Sequence, residues 1–254
     1  TLKDPEVRRA LQLGTDTASL RNAFALVPPQ LELPFISGQI GSSNVPRAQA
    51  YDAKKAAELL DKAGWIKQGS IRKKGEQKLT LNVVTTKNPD YEKTLEQLAG
   101  QRRQLGVDMQ TTVVDTKDPA QNFVQNILQP RNYDVLIYQL SIDADPDVYP
   151  YWHSSQTGKN GLNFSNYKSG VADDTLSSAR SRTEPGLREL KYKTFAQQWL
   201  DDVPAIGLYQ STMSYVHTKK VFSLGENAKF IAPQYRYENI LYWSAGQKSV
   251  YTTP

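Results

Sequence analysis

The chain contains no cysteine. That absence excludes thiolate catalysis, zinc held on cysteine and disulfide bracing. Histidine is almost missing as well: His153 and His217 are the only two in 254 residues. Neither lies in an H-E-x-x-H zinc motif, and no G-x-S-x-G elbow presents a serine to either. Both read as surface or packing residues. No G-x-G-x-x-G or phosphate loop occurs. No stretch approaches the eighteen apolar residues that a spanning helix needs. The basic surplus is small, 31 Lys and Arg against 26 Asp and Glu, and it is scattered. Arg72-Lys73-Lys74 falls in a Gly-flanked turn and Arg102-Arg103 on the polar face of a helix. Such charges read as solvated rather than as a nucleic-acid patch.

What is present is an α/β pattern. A helix is expected over 4–13, with Pro5 in its first turn, and a short one over 16–24. A Pro-rich segment from Val27 to Pro46 reads as an ordered loop. Tyr51 to Trp65 forms a helix with Asp52 as its cap, Gly64 as its stop, and Ala56, Leu59, Leu60 and Ala63 on one face. A turn over 67–77 follows. Strands are expected at 79–85, 107–114 and 133–140, separated by a helix from Pro89 to Leu105 and another near 118–128. This alternation implies at least partly parallel pairing. Two further helices are expected near 171–182 and 186–201. The last fifty residues hold short β-like runs, IGLYQ, SYVHT and NILYW.

The segment from Ser141 to Gly170 is too long for a plain connection, so a functional role is its default. Asp143, Asp145 and Asp147 sit just past the strand at 133–140, where open α/β sheets bind ligands. Their spacing lacks the glycine and distant glutamate of an EF-hand loop. A bland reading makes Asp145-Pro146 a turn and Asp147 a helix cap. Tyr138, Tyr149, Tyr151, Trp152 and Phe164 gather around them. They suit either a pocket for a zwitterionic or sugar-like ligand, or a small core beneath the loop. Nothing in the chain organises bond-making chemistry, and neither a metal nor a cofactor is expected.

Six segments in order carry a resemblance: DPEVRRALQLGTD (4–16) with the Pro-rich loop after it, YDAKKAAELLDKAGW (51–65), QLAGQRRQLGV (97–107) with its strand, RNYDVLIYQL (131–140), Asp145-Pro146, and WLDDVPAIGLY (199–209). With them the chain resembles the extracytoplasmic solute-binding proteins of ABC transporters, family 5, the peptide, nickel and oligopeptide group. The resemblance implies a type II periplasmic-binding lobe, a mixed, mostly parallel sheet flanked by helices. The family is about twice as long, and its N-terminal part carries the export and lipid signals. Residues 1–208 therefore read as the second lobe. Residues 209–254 read as a segment returning to a first lobe that this chain lacks, with a tail less tightly cored against residues 1–200. The implied function is non-catalytic capture of a small solute, foremost a peptide, outside the cytoplasm. Delivery would be to membrane permease subunits, with no nucleic-acid partner. Asp143 matches the residue that pairs with a peptide's α-amino group, and Leu140, Ser141 and Ile142 would offer backbone groups to an extended ligand. Tyr138 and Trp152 complete the expected site. The family carries Trp where Leu140 stands, and its spacing from the aspartate to the proline is longer, which leaves Asp145 as an alternative amine anchor. Sugars, opines, metal chelates, or a hydrolase using Asp143 and Asp145 remain the other readings.

Overall fold

The computed structural model describes residues 1–36, 38–40, 44–212, 216–222, 235, 237 and 240–246. Helix α1 (Pro5–Leu13) starts where Asp4 accepts a hydrogen bond from the Glu6 N–H, and Pro5 occupies a position whose N–H no helix needs. Helix α2 (Thr17–Asn22) is capped by Asp16, and α3 (Ala53–Lys62) by Asp52, which accepts from the Lys55 N–H at 2.9 Å. Gly64 then takes φ +85, so the stop expected from the sequence is real. Ala56 and Leu60 of α3 are buried against α1.

The segment expected as a plain turn over 67–77 is instead a small antiparallel meander. It comprises β1 (Ile66–Gln68), β2 (Ile71–Lys74) and β3 (Gln77–Lys78). Here one sequence reading fails: Arg72 is buried, not solvated. Its N–H donates to Gly106 O at 2.7 Å, its Nε to Leu105 O at 2.8 Å, and its Nη1 to Trp65 O at 2.7 Å and Asp61 Oδ1 at 2.6 Å. The arginine fills donors into carbonyls that a helix end leaves open.

Strands β4 (Thr80–Thr86), β5 (Asp108–Val114) and β6 (Val135–Leu136) form a three-stranded parallel sheet in the order β5-β4-β6. Helix α4 (Pro89–Leu105) crosses over between β4 and β5. Asn88 caps its start and Gly106 ends it at φ +86. A Cβ at Gly106 would stand 3.0 Å from Arg72 Cγ, so glycine is needed for both the left-handed turn and the close approach. Arg102, expected on a polar face, is also buried. Its Nη1 donates to Gly14 O and its Nη2 to Thr15 Oγ1, tying α4 to the end of α1. Burial lowers its pKa to about 10, so it remains a cation at neutral pH.

Two elements are shorter than their sequence patterns suggest. The helix expected near 118–128 is a single π-helical turn at Val124–Leu128. The strand expected over 133–140 pairs with β4 only at Val135–Leu136. The flanking bonds Asp134 N–H to Asn82 O and Ile137 N–H to Val84 O extend it by one residue each way. Beyond Ile137 the chain leaves the sheet, Tyr138 and Gln139 are both exposed, and a period-two pattern resumes at Leu140. Leu140 and Ile142 pack inward while Ser141 and Asp143 stay exposed. An apolar run covered by loop and helices rather than by neighbouring strands reads the same in sequence.

The first core lies under α1, α3, α4 and one face of β4. A second is built by α5 (Tyr149–Trp152), α6 (Gly170–Ser181) and α7 (Pro185–Asp202) around Tyr192, Phe195 and Trp199. The described part of the Pro-rich loop is anchored where Phe35 plugs into this core, 5.5 Å from the Tyr192 ring and 5.9 Å from Phe195. Burying such a side chain contributes roughly 1.5–3 kcal/mol. Arg8 of α1 donates to Asp202 O through Nε and Nη2, which links the two cores. Of the late β-like runs, Tyr209 makes an isolated bridge with Gln30, and Ile240–Tyr242 is a 3-10 turn rather than a strand. SYVHT lies partly outside the described residues, and β7 (Val221–Phe222) pairs with β8 (Ser244–Ala245). Most of the 209–254 segment lies outside the described residues, so the expected return and tail packing are not described by the structure.

Candidate functional site

A broad concavity of about 1930 Å³ opens at the C-terminal end of β6. Its walls are the 138–143 segment, the Pro-rich loop near Phe35, the 162–169 turn and the 204–212 stretch. The carboxyl ends of parallel strands are the usual seat of ligands in such sheets.

The three loop aspartates have different surroundings. Both oxygens of Asp145 accept from Arg188 Nη2, at 2.7 and 2.8 Å. That hydrogen bond raises the Arg188 pKa further. Asp147 accepts from Arg180 Nε at 2.9 Å, with Nη2 at ion-pair distance of 2.8 Å, and from the Tyr149 N–H at 3.3 Å near the start of α5. Asp147 therefore does not cap α5 as expected: Val148 holds the cap position without a side-chain bond, and Asp147, one residue earlier, is fixed by its ion pair. Asp143 is exposed and makes no ion pair among the described residues. Its carboxylate accepts only from the adjacent Ala144 N–H, at 2.7 Å. Its carbonyl accepts from Gln39 Nε2, while Gln39 Oε1 accepts from the Ile36 N–H. The Pro-rich loop therefore holds one side of the acidic loop and α6 and α7 hold the other.

The remaining expected residues divide. Tyr138 stands on the cleft surface, 43% exposed. Ser141 is exposed, and its carbonyl accepts from the Tyr151 hydroxyl at 2.5 Å. Leu140 and Ile142 turn their side chains into the second core, and neither makes a main-chain hydrogen bond among the described residues. Trp152 is buried edge-on to Trp199, with ring centroids 5.5 Å apart, and forms floor rather than contact surface. Near it, His153 stacks on Tyr149 at 4.0 Å and accepts the Ser155 N–H at Nδ1, a packing role.

Sequence reasoning missed Gln39, Arg180 and Arg188. The arginines had a legible signal, since three nearby carboxylates call for cations on the helices that follow. Gln39 had none, because a polar residue in a loop carries no directional mark.

The parallel sheet with its crossover helix and the cleft at its strand ends define a lobe of the type II periplasmic-binding fold, shared with the solved structures below. Residues 1–161 match the model for bacterial extracellular solute-binding proteins, family 5 Middle, and the chain belongs to that family. It is 27% identical over 218 residues to the oligopeptide-binding protein AppA of Bacillus subtilis (strain 168), covering 82% of this chain and 38% of that protein. The structure of AppA from Bacillus subtilis in complex with a nonapeptide matches with a TM-score of 0.73 at 25% identity, over 97% of this chain and 48% of that one. NikZ from Campylobacter jejuni in complex with Ni(L-His) matches with a TM-score of 0.70 at 22% identity, over 95% and 49% of the two chains. The chain thus spans less than half the length of these relatives. Among the described residues no helix is long and apolar enough to cross a membrane.

Proposed function

We propose that residues 1–208 form the second lobe of a solute-binding protein that captures peptides without catalysis. Residues 209–254 return to a first lobe encoded elsewhere in the full-length protein. The captured peptide passes to the membrane permease subunits of an ABC importer. The protein works outside the cytoplasm, held by a lipid anchor in its N-terminal part.

The observation that carries this reading is the state of Asp143. Among the described residues it is the one carboxylate of the three without an ion pair, and it faces a cleft large enough for an extended ligand. In a closed cleft, reduced water screening strengthens its pairing with an α-ammonium group. The free main-chain groups of Leu140 and Ile142 suit strand-like addition of a peptide. The nonapeptide held by the Bacillus AppA fits the same reading. Asp145 as amine anchor, or as half of a hydrolytic pair, fits less well, because Arg188 occupies both of its oxygens. The metal-chelate reading rests on fold likeness alone.

Mass spectrometry of ligands that co-purify with the full-length protein tests the proposal. Peptides of a defined length range are expected. A sugar, an opine or a metal chelate recovered in their place would overturn it. The lobe alone should bind such peptides poorly, because half of the cleft is missing.

A further inference from the structure

Among the described residues six tyrosines line the cleft: Tyr91, Tyr133, Tyr138, Tyr151, Tyr167 and Tyr209. Five have their hydroxyls engaged within the protein. Tyr91 is hydrogen-bonded to the Gln139 main chain. Tyr133 donates to Phe164 O at 2.7 Å, Tyr151 to Ser141 O at 2.5 Å, and Tyr167 to Asp202 Oδ2 at 2.6 Å. Tyr209 meets Thr94 Oγ1 at 2.9 Å. Burial raises the pKa of all five, as expected of tyrosines built into the wall. Tyr138 is the exception. Its hydroxyl has no hydrogen-bond partner among the described residues, and the residue is 43% exposed.

The exposed ring is nevertheless fixed in place. Phe164 meets it edge-on, with centroids 5.7 Å apart at 86°, and Phe123 lies 5.9 Å away at 35°. Phe123 is buried, and the Phe164 carbonyl is held by Tyr133. The Arg131 guanidinium sits 5.0 Å from the Phe164 ring centre. The result is a packed shelf of three rings, with Tyr138 and Phe164 on the cleft wall and a cation beside Phe164.

We propose that the Tyr138 shelf is a side-chain subsite that selects an aromatic residue of the bound peptide. This rests on the peptide-capture reading and deepens it. Rings pair with rings edge-to-face or offset, which adds about 0.5–1.5 kcal/mol beyond simple burial. That corresponds to roughly 2- to 13-fold in affinity over an aliphatic side chain. A cationic ligand side chain could also sit on a tyrosine face. Here the Arg131 charge, 5.0 Å from the Phe164 ring centre, opposes it. Tyr138 lies five positions before Asp143, so the two are at most about 18 Å apart along the chain. With its amine at Asp143, a peptide therefore reaches the shelf with one of its first five or so residues.

The test uses the full-length protein and a positional-scanning mixture of free-amine hexapeptides, with the captured fraction read by mass spectrometry. Wild type should enrich Phe, Tyr or Trp at one position by the stated factor. Tyr138→Leu keeps apolar area but removes the π face, and it should abolish that enrichment, so that aromatic and aliphatic peptides are captured in equal proportion at that position. Tyr138→Ala should do the same, and Tyr138→Phe should retain the enrichment. Absence of a preferred position in wild type would overturn the subsite, as would enrichment that survives Tyr138→Leu. A uniform loss of all peptides in Tyr138→Leu would assign Tyr138 a merely structural role and overturn it equally. In those cases peptide capture itself stands. Capture of no peptide by wild type would overturn both readings together.

Discussion

The basic meander and the acidic loop both stood out in sequence as clusters of one charge, and the structure uses them in opposite ways. Arg72 is sunk beneath the end of α4 with its donors directed into three carbonyl and carboxylate groups. The acidic loop is exposed, and two of its three carboxylates are neutralised from α6 and α7, leaving Asp143. A charge whose bonding capacity is filled from within holds the fold together. A charge left unfilled on a concave surface is available to a ligand. The distinction lies in satisfaction, not in sign or spacing.

The largest effect should come from breaking the filled side. Arg72→Met keeps the aliphatic stem but strands the carbonyls of Leu105 and Trp65, which lose their donors in a buried place. Each such loss costs about 1–3 kcal/mol, so about 2–6 kcal/mol of stability should disappear. The ion pair to Asp61 adds little to this, because Asp61 is half exposed. Urea unfolding measures the difference. A variant as stable as wild type would show that Arg72 is as replaceable as a surface lysine.

Asp143→Asn should do the reverse. Removing an exposed carboxylate without an ion pair should leave the unfolding midpoint where it was. Free-amine peptides should bind about 10- to 150-fold more weakly, the worth of a charged hydrogen bond of about 1.5–3 kcal/mol. N-acetylated peptides, which lack the ammonium, should bind both forms alike. Titration calorimetry on the full-length protein reads both, and an unchanged affinity for free-amine peptides would remove Asp143 from the anchor role.

This contrast also marks what could be read from the sequence. Local signals were reliable where a chemical group enforces them. Asp52 as cap, Gly64 as stop, and the apolar stripe of α3 all stand as expected. Burial of a polar residue was not legible, because Arg72 and Arg102 owe it to partners distant in sequence or supplied by carbonyls that carry no side-chain mark. The apolar run over 133–140 misled for a related reason. Leu140 and Ile142 are apolar to fill the second core, not to continue β6. Asp143 was legible as a candidate. Its separation from Asp145 required Arg188, forty-five residues on.

A smaller effect should follow from unmasking Asp145. Arg188→Gln removes a pair that is partly exposed on both sides, so its stability cost should stay at or below about 1 kcal/mol. Its informative readout is binding in the Asp143→Asn background. There the released Asp145 offers a substitute carboxylate two residues away, and part of the lost affinity for free-amine peptides should return. If none returns, neutralisation by Arg188 is not what sets Asp145 apart, and position in the cleft decides instead.

The smallest effect is expected at a pair that is neither buried nor in the cleft. Lys87 Nζ lies 2.8 Å from Asp115 Oδ2 across the ends of β4 and β5. The lysine holds the aspartate's pKa below its usual value, and the aspartate raises the lysine's. With the carboxylate depressed in the folded state, its contribution is present above the ordinary aspartate range and is lost as pH falls through the folded value. With the ammonium raised, its share is lost only as pH rises through the folded lysine value. Asp115→Asn should therefore differ from wild type most at neutral pH and low salt, and the two unfolding curves should converge toward acid pH and in 1 M salt, where a surface pair is screened within about 3 Å. A difference that persists in acid or in high salt would mean that this exposed pair holds the sheet end as Arg72 holds the helix end, and burial would then no longer separate structural charges from idle ones.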